Sequence, residues 1–458
     1  MKKAVKLLVC VNTIFAFLML VGCQKENGNN NGGSGGENYE EPTIVSTREV
    51  NNDGFVIVEA LFDDNSKMYF RLLTSNIAEV TNWKSFYGSE SNEGYVYRGD
   101  LVIPSELTHS GVTYQIAGIQ SEAFMDCTLL NSIVVPSSVT YIGSKAFQGC
   151  SGLISVNVPN SIKGISSYTF AGCSSLVSFT IPDSTDYIGE GAFCGCSSLE
   201  SIIIPDNVSG IAGGTNESGN FRSGAFENCT KLQSVVIGNS LEIIGKRTFW
   251  NCQNLIDVVI GDAVTFIDNG AFYYCSSLTA ITIPEAVTKL GQYVTAYNDW
   301  GVFENCSNLT SIELSDSLSF IGDKTFFGCL ALTSIEIPQS VKVIGRGAFA
   351  YTGLNSVVIP NSVINVVGDT SNVGYIGTFE NCKHLVSTTI GSSVNRMSLT
   401  FKDCSELKTV TCLAVEPPQL FHTFDQCDLE VIYVPIESVD RYKNDDNWRE
   451  YADVIVGF

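Results

Sequence analysis

Along most of this chain apolar positions recur in one compound pattern, L-x-x-I-x-I-P-x-x-V-x-x-I-G-x-x-A-F. A clear copy runs through Leu332, Ile335, Ile337, Pro338, Val341, Ile344, Gly345, Ala348 and Phe349. The I-x-I pair alternates with polar residues, the period of a strand with one buried face. Proline after it removes a backbone donor and ends the strand. Glycine after V-x-x-I supplies a turn, and the A-F-x-x-C segment returns the chain on the other side. Stacked copies should form a parallel sheet lined by pairs such as Ile133/Val135, Ile202/Ile204, Ile281/Ile283 and Val357/Ile359.

The phenylalanine of the pattern recurs thirteen times, at Phe124, Phe147, Phe170, Phe193, Phe226, Phe249, Phe272, Phe303, Phe326, Phe349, Phe379, Phe401 and Phe424. The steps are 23, 23, 23, 33, 23, 23, 31, 23, 23, 30, 22 and 23 residues. Self-similarity at this period means a β-rich repeat solenoid in which each coil buries its apolar face only by stacking on its neighbours. At about 4.8 Å per coil, these repeats would make a rod or arc about 60 Å long. Such a scaffold offers a surface for binding and lacks the enclosed, water-poor pocket that shifts carboxylate pKa values for catalysis.

Three intervals are too long, and the phenylalanines that close them stand 77 and 76 residues apart, so every third repeat carries an insertion. Each ends in Phe-Glu-Asn-Cys: Phe226 to Cys229, Phe303 to Cys306 and Phe379 to Cys382. The other ten copies have no Glu-Asn there. Insertions at one point of a repeat emerge on one side of a solenoid, here roughly 14 Å apart for three coils of 4.8 Å. Exposed loops on a rigid scaffold are where binding residues concentrate. The candidate ligand-binding residues are Phe221, Arg222, Tyr293, Tyr297, Trp300 and Tyr375. Aromatics beside Asn and Asp suit sugars, whose apolar ring faces stack on aromatic rings while their hydroxyls bond to amides and carboxylates. Two other readings stand beside this one. The Glu-Asn pair braces the longer loop through its backbone, with the aromatic packing it down; or the regularity records duplication of a three-repeat block.

Twelve cysteines lie three residues after a repeat phenylalanine, from Cys127 to Cys427. Equivalent positions in stacked coils point the same way, whereas a disulfide needs β-carbons facing each other. The ladder therefore reads as small buried hydrophobes with weak S–H donors, and at Phe349 a threonine of similar size, Thr352, takes the place. Cys194 is the thiol left as a candidate for reactivity.

The recurrence in order of I-P, I-G, A-F and the cysteine resembles the BspA-like branch of the leucine-rich repeat family, over residues 101 to 435. The asparagine ladder that follows the strand in most leucine-rich repeats is missing. The resemblance implies a right-handed coil with a parallel sheet, and recognition at a cell surface: attachment to host extracellular matrix, mucin or a surface protein, or alternatively capture of glycans for nutrient uptake. It names no ligand. By the same likeness, a β-rich segment at 44–113 caps the first coil, residues 114–435 form the repeats, and 436–458 form a C-terminal cap with a helix from Ser438 to Tyr451 and Trp448 packed inward.

The N-terminus completes the expectation. Residues 1–22 hold three lysines, no acid and an apolar stretch too short to span a bilayer, as in an export signal. Leu20-Val21-Gly22-Cys23 resembles the bacterial lipobox, which implies lipidation at Cys23, an outer-membrane lipoprotein exposed at the cell surface, and membrane contact through the N-terminal lipid alone. Residues 23–43, rich in Asn, Gly and Glu, read as a flexible tether. Losing the signal takes three positive charges from a formal net charge of −22, leaving −25. That sign and magnitude disfavour nucleic acid as a partner. The histidines His109, His384 and His422 are scattered, and no nucleophile elbow, phosphate loop or C-x-x-C pair is present, so neither an enzyme nor a cofactor or metal is expected.

Overall fold

The computed structural model describes residues 40–50, 55–73, 76–82, 97–215, 221–293, 300–366 and 376–458. Cys23, Tyr297 and Tyr375 lie outside them, as do the export signal and most of the tether. The described residues fall into two compact units, one holding those up to Thr185 together with Cys196–Ile203, the other Asp186–Gly195 together with Ile204–Phe458.

In the first unit, strands β1 (Ile44–Glu49), β2 (Val56–Phe62), β3 (Lys67–Leu72) and β4 (Ile77–Thr81) form an antiparallel meander. Strand β5 (Gly99–Val102) leaves this sheet, while β6 (Glu106–His109) and β7 (Val112–Ile119) rejoin it, with β7 parallel to β4. Val58, Phe70, Val80 and Ile116 are fully buried within it. The handover to the repeats is made twice. β5 pairs in parallel with β8 (Leu130–Val134), which pairs with the next coil at Ser155–Asn157, and β7 pairs with Tyr141–Ile142. Tyr97 lays its ring against Phe124 at 4.8 Å, and its hydroxyl accepts the Tyr69 N–H, so the phenylalanine column is covered at this end by a partnered tyrosine.

Each coil has three sides. The I-x-I side makes parallel strands in most coils, extending in the second unit to a five-stranded sheet of Ser356–Ile359, Ser387–Ile390, Thr409–Cys412, Val431–Val434 and Ile455–Gly457, while Ile335 and Ile337, expected in a strand, lie in a segment without ladder pairing. The second side differs from the sequence expectation of a plain turn. The x-I of V-x-x-I-G is itself a strand of two or three residues, and eight of them pair in parallel from Ile243–Ile244 to Gln419–Phe421. A segment this short is below the length at which alternation can be seen in sequence.

The third side is the phenylalanine turn. Within each unit a Phe N–H bonds the carbonyl of the residue before the next phenylalanine, as in Phe226 to Thr248 at 2.9 Å and Phe326 to Ala348 at 2.7 Å. Within each unit successive rings stack with centroids 5.0 to 5.8 Å apart, for example Phe124 on Phe147 and Phe401 on Phe424. The residue two after each phenylalanine is left-handed, whether glycine (Gly149, φ 76°), asparagine (Asn228, φ 61°) or tyrosine (Tyr274, φ 58°). The ladder continues across the insertions: Phe193 bonds Ala225, Phe272 bonds Val302 and Phe349 bonds Thr378 at 2.8 to 2.9 Å.

Cysteine completes this side. The thiols of Cys150, Cys252, Cys329 and Cys404 each donate to the phenylalanine carbonyl of the coil before, at 3.0 to 3.3 Å. All fourteen cysteines from Cys127 to Cys427 are free. Where Thr352 stands in the column, its hydroxyl bonds the Phe349 carbonyl of its own coil. At the C-terminal end a short helix, Val439–Asn444, is flanked by 3₁₀ turns in place of the single helix expected from Ser438 to Tyr451. Trp448 is fully buried, edge-on to Phe424, with its indole N–H donated to the Pro418 carbonyl.

Candidate recognition surface at the inserted coils

The three insertions leave the coil at one register position, after the second-side strand and before the phenylalanine turn. Gly224, Gly301 and Gly377 close them. In most coils the residue at this place is left-handed, as Arg247 (φ 60°), Lys324 (φ 52°) and Leu399 (φ 54°) are. The three closing glycines are not. Each lies so close to the next coil that a Cβ would stand 1.7 to 1.8 Å from the carbonyl oxygen of Arg247, Lys324 or Leu399. Their N–H groups turn to the glutamate three residues on, at 3.0 Å for Glu227, 2.8 Å for Glu304 and 2.7 Å for Glu380. Glutamate thus takes over the donor that a regular coil sends to its neighbour, as Lys324 N–H goes to the Arg346 carbonyl. The asparagines beside them, Asn228, Asn305 and Asn381, are the left-handed residues of the turn, a conformation Asn tolerates better than most.

The three buried carboxylates meet different cations. Glu227 forms a two-point pair with Arg247, 2.6 Å from Nη2 and 3.1 Å from Nε. Glu380 lies 3.3 Å from Lys402 Nζ. Glu304 is held above the usual carboxylate range by burial, against the lowering effects of the Gly301 N–H and the Lys324 charge.

Around Glu227 and Arg247 an aromatic cluster forms. The Arg247 guanidinium lies 4.3 Å over the Trp250 ring, and Trp250 stacks on Tyr273 at 3.8 Å. Trp300, the aromatic that ends the second insertion, sits edge-on to Trp250 at 4.4 Å and 5.4 Å from the Arg247 guanidinium. Of the sequence candidates, then, Trp300 joins a cluster. Tyr293 packs edge-on to Phe320 at 4.9 Å and stays about half exposed. Phe221–Arg222 form a strand that pairs antiparallel with Gly214–Thr215. Sequence reasoning missed Trp250, Tyr273 and Tyr274. Their signal lay in the columns one and two residues after the repeat phenylalanine, where other coils carry Gln148, Ala171 or Gly149.

Cys194 is half-buried, and burial followed by the nearby Glu227 charge pushes its thiol up to about 11, away from the thiolate that reactivity needs. Among the described residues, no group of three or more His, Cys, Asp or Glu is placed to hold a metal ion, and no helix is long and apolar enough to cross a membrane.

A family model described as the BspA type leucine rich repeat region matches residues 117–215, 215–300, 299–407 and 370–445. The chain belongs to the BspA-type leucine-rich repeat family. Among solved structures, this BspA-type chain is similar to a leucine-rich repeat protein from Bacteroides ovatus, at 24% identity and a TM-score of 0.53, covering 85% of this chain and 98% of the other. That likeness shows the repeat fold. A leucine rich cell surface protein from Faecalibacterium prausnitzii shares 23% identity over 80% of this chain and 95% of its own, with a TM-score of 0.40. The pneumococcal vaccine antigen PcpA shares 18% over 90% and 98%, with a TM-score of 0.48. No curated protein sequence matches the chain.

Proposed function

We propose that this BspA-type protein is a lipid-anchored recognition protein of the bacterial cell surface, held in the outer membrane through Cys23. It would bind host matrix, mucin or a cell-surface ligand through the repeat face and the three inserted loops. The observation that carries this reading is the investment at the insertions. Each returns to the coil through a glycine that admits no side chain and a buried glutamate that bonds it, so three segments of different sequence are mounted on one repeating core. A second reading, glycan capture within a nutrient-uptake system, is favoured by one local fact, the meeting of Trp300 with Trp250, Tyr273 and Arg247.

The test is capture of the purified protein on immobilised matrix proteins, mucins and a glycan panel, beside a variant with Phe221, Trp300 and Tyr375 changed to alanine. Binding by the natural protein and its loss in a folded variant is the expected outcome. Equal binding by both would move recognition to the sheet face. No binding to any surface would remove the proposal.

A further inference from the structure

Charge in the second unit is sorted by side of the coil. Six successive I-x-I segments with their following turns, from 233–240 to 355–362, carry Asp257, Asp262, Glu285, Glu313, Asp316 and Glu336 and neither lysine nor arginine. The bases of residues 233–362 are Lys246, Arg247, Lys289, Lys324, Lys342 and Arg346, and all six stand on the other two sides. Carboxylates on those sides are neutralised, Glu227 by Arg247 at 2.6 Å, Asp323 by Arg346 at 2.6 Å and Glu380 by Lys402 at 3.3 Å. The six on the I-x-I side are all exposed, and among the described residues none of them forms an ion pair.

These charges also repel one another. Asp262, Glu285 and Asp316 succeed each other in the turn column, and Glu313 and Glu336 in the middle column of the I-x-I segments, one coil apart at a step of about 4.8 Å. Like charges on neighbouring strands destabilise a sheet. Hydroxyls orient them without cancelling them: Thr282 donates to Glu313 Oε2 at 3.0 Å and Ser317 to Glu285 Oε1 at 3.1 Å. Solubility asks for charge anywhere on a surface, not for repelling neighbours gathered on one side. Small apolar side chains lie between the acids. Ile256 is 44% exposed and Val358 58%, and Val236 pairs in register with Val259, both partly exposed. Among the described residues no group of three or more His, Cys, Asp or Glu is placed to hold a metal ion, so this side offers single negative charges spaced along the coils with apolar ground between them. The complement is an extended chain that carries cations and short apolar groups.

We propose that the I-x-I side of the second unit docks a cationic polypeptide segment, whose lysines or arginines meet these six carboxylates while its apolar residues cover the valines and isoleucine between them. This rests on the recognition reading above and names the kind of partner that the repeat face takes.

The test titrates the purified protein with deca-lysine and with a peptide of repeated Lys-Val-Thr, beside deca-glutamate as control, following heat and the anisotropy of labelled peptide. Both cationic peptides should bind saturably, and more weakly as salt is raised; deca-glutamate should not bind. Changing Asp257→Asn, Glu285→Gln, Glu313→Gln and Glu336→Gln together keeps shape and hydrogen bonding. It should weaken peptide binding about tenfold, while the unfolding midpoint stays level or rises as repulsion is relieved. A second variant, Glu242→Gln, Glu406→Gln, Glu437→Gln and Asp453→Asn, removes as much charge from exposed positions elsewhere and should keep affinity within about twofold. Equal loss in both variants would reduce the effect to net charge and overturn the proposal, as would unchanged affinity in the first. Saturable heat from calcium chloride alone, lost in the first variant and with no peptide bound, would give this side to a metal and overturn it too. If no cationic peptide binds while mucin or a matrix protein still captures the protein, the cationic partner falls and the wider recognition reading stands. Failure on every surface removes both.

Discussion

Glu227 and Glu304 accept the same glycine N–H in the same turn, yet their surroundings differ: the first is clamped by an arginine, the second is buried far enough for its pKa to rise. Because Glu304 titrates higher in the folded state than in the unfolded one, the native protein binds more protons across that window. Its contribution therefore weakens as pH climbs from 4.5 through the raised value. Glu304→Gln keeps an acceptor for Gly301 and removes the titration. Its unfolding midpoint in urea should match that of the natural protein at acid pH and gain on it as pH rises; parallel curves would show that Glu304 does not titrate there. At the glycines the demand is steric. Gly224→Ala forces a methyl against the Arg247 carbonyl and should cost about 1–3 kcal/mol or more. Gly172→Asn, left-handed and with its nearest neighbour 3.6 Å from the added carbon, should stay within about 1 kcal/mol. Chemical denaturation of the pair reads both.

The coil is the element, and its three sides were unequally legible. Proline, glycine and phenylalanine punctuate the sequence, so the I-x-I strand and the phenylalanine turn could be placed from residues such as Val357, Pro360 and Phe379, although the same pattern at Ile335 and Ile337 forms no strand. The second ladder could not, since Ile321 or Ile344 alone carries no alternation. The candidate site was legible where it interrupts the period and hidden where it does not. Trp300 stands in an insertion and was found; Trp250 and Tyr273 stand inside regular coils and needed their column to be read across repeats. The phenylalanine column should also dominate coil energetics. Phe303→Ala removes a fully buried ring stacked between Phe272 and Phe326 and should cost about 3–5 kcal/mol. Because repeats are stabilised by nearest neighbours, the loss should split thermal unfolding into two steps instead of shifting one. A single displaced transition would count against local coupling.

For the molecule as a whole, a chain exported as proposed above and carrying this many cysteines would ordinarily be read as disulfide-bonded, and the structure leaves the fourteen described ones as free thiols. Burial drives ladder thiols such as Cys173 and Cys306 upward, to about 12. Apart from Cys23, native protein at neutral pH should react with Ellman's reagent only slowly, should do so fully once unfolded, and should keep its unfolding midpoint when reductant is added. Rapid labelling of native protein would mean that the column opens. The phenylalanine N–H ladder, finally, runs through the inserted coils with the same bonds as through the others. The core is thus indifferent to what is threaded between Ile211 and Gly224, or between Val366 and Gly377. These are cassettes: their content can be rewritten, lengthened or exchanged with one another while the spine keeps its register, so a lineage could change what it presents without redesigning what holds it together.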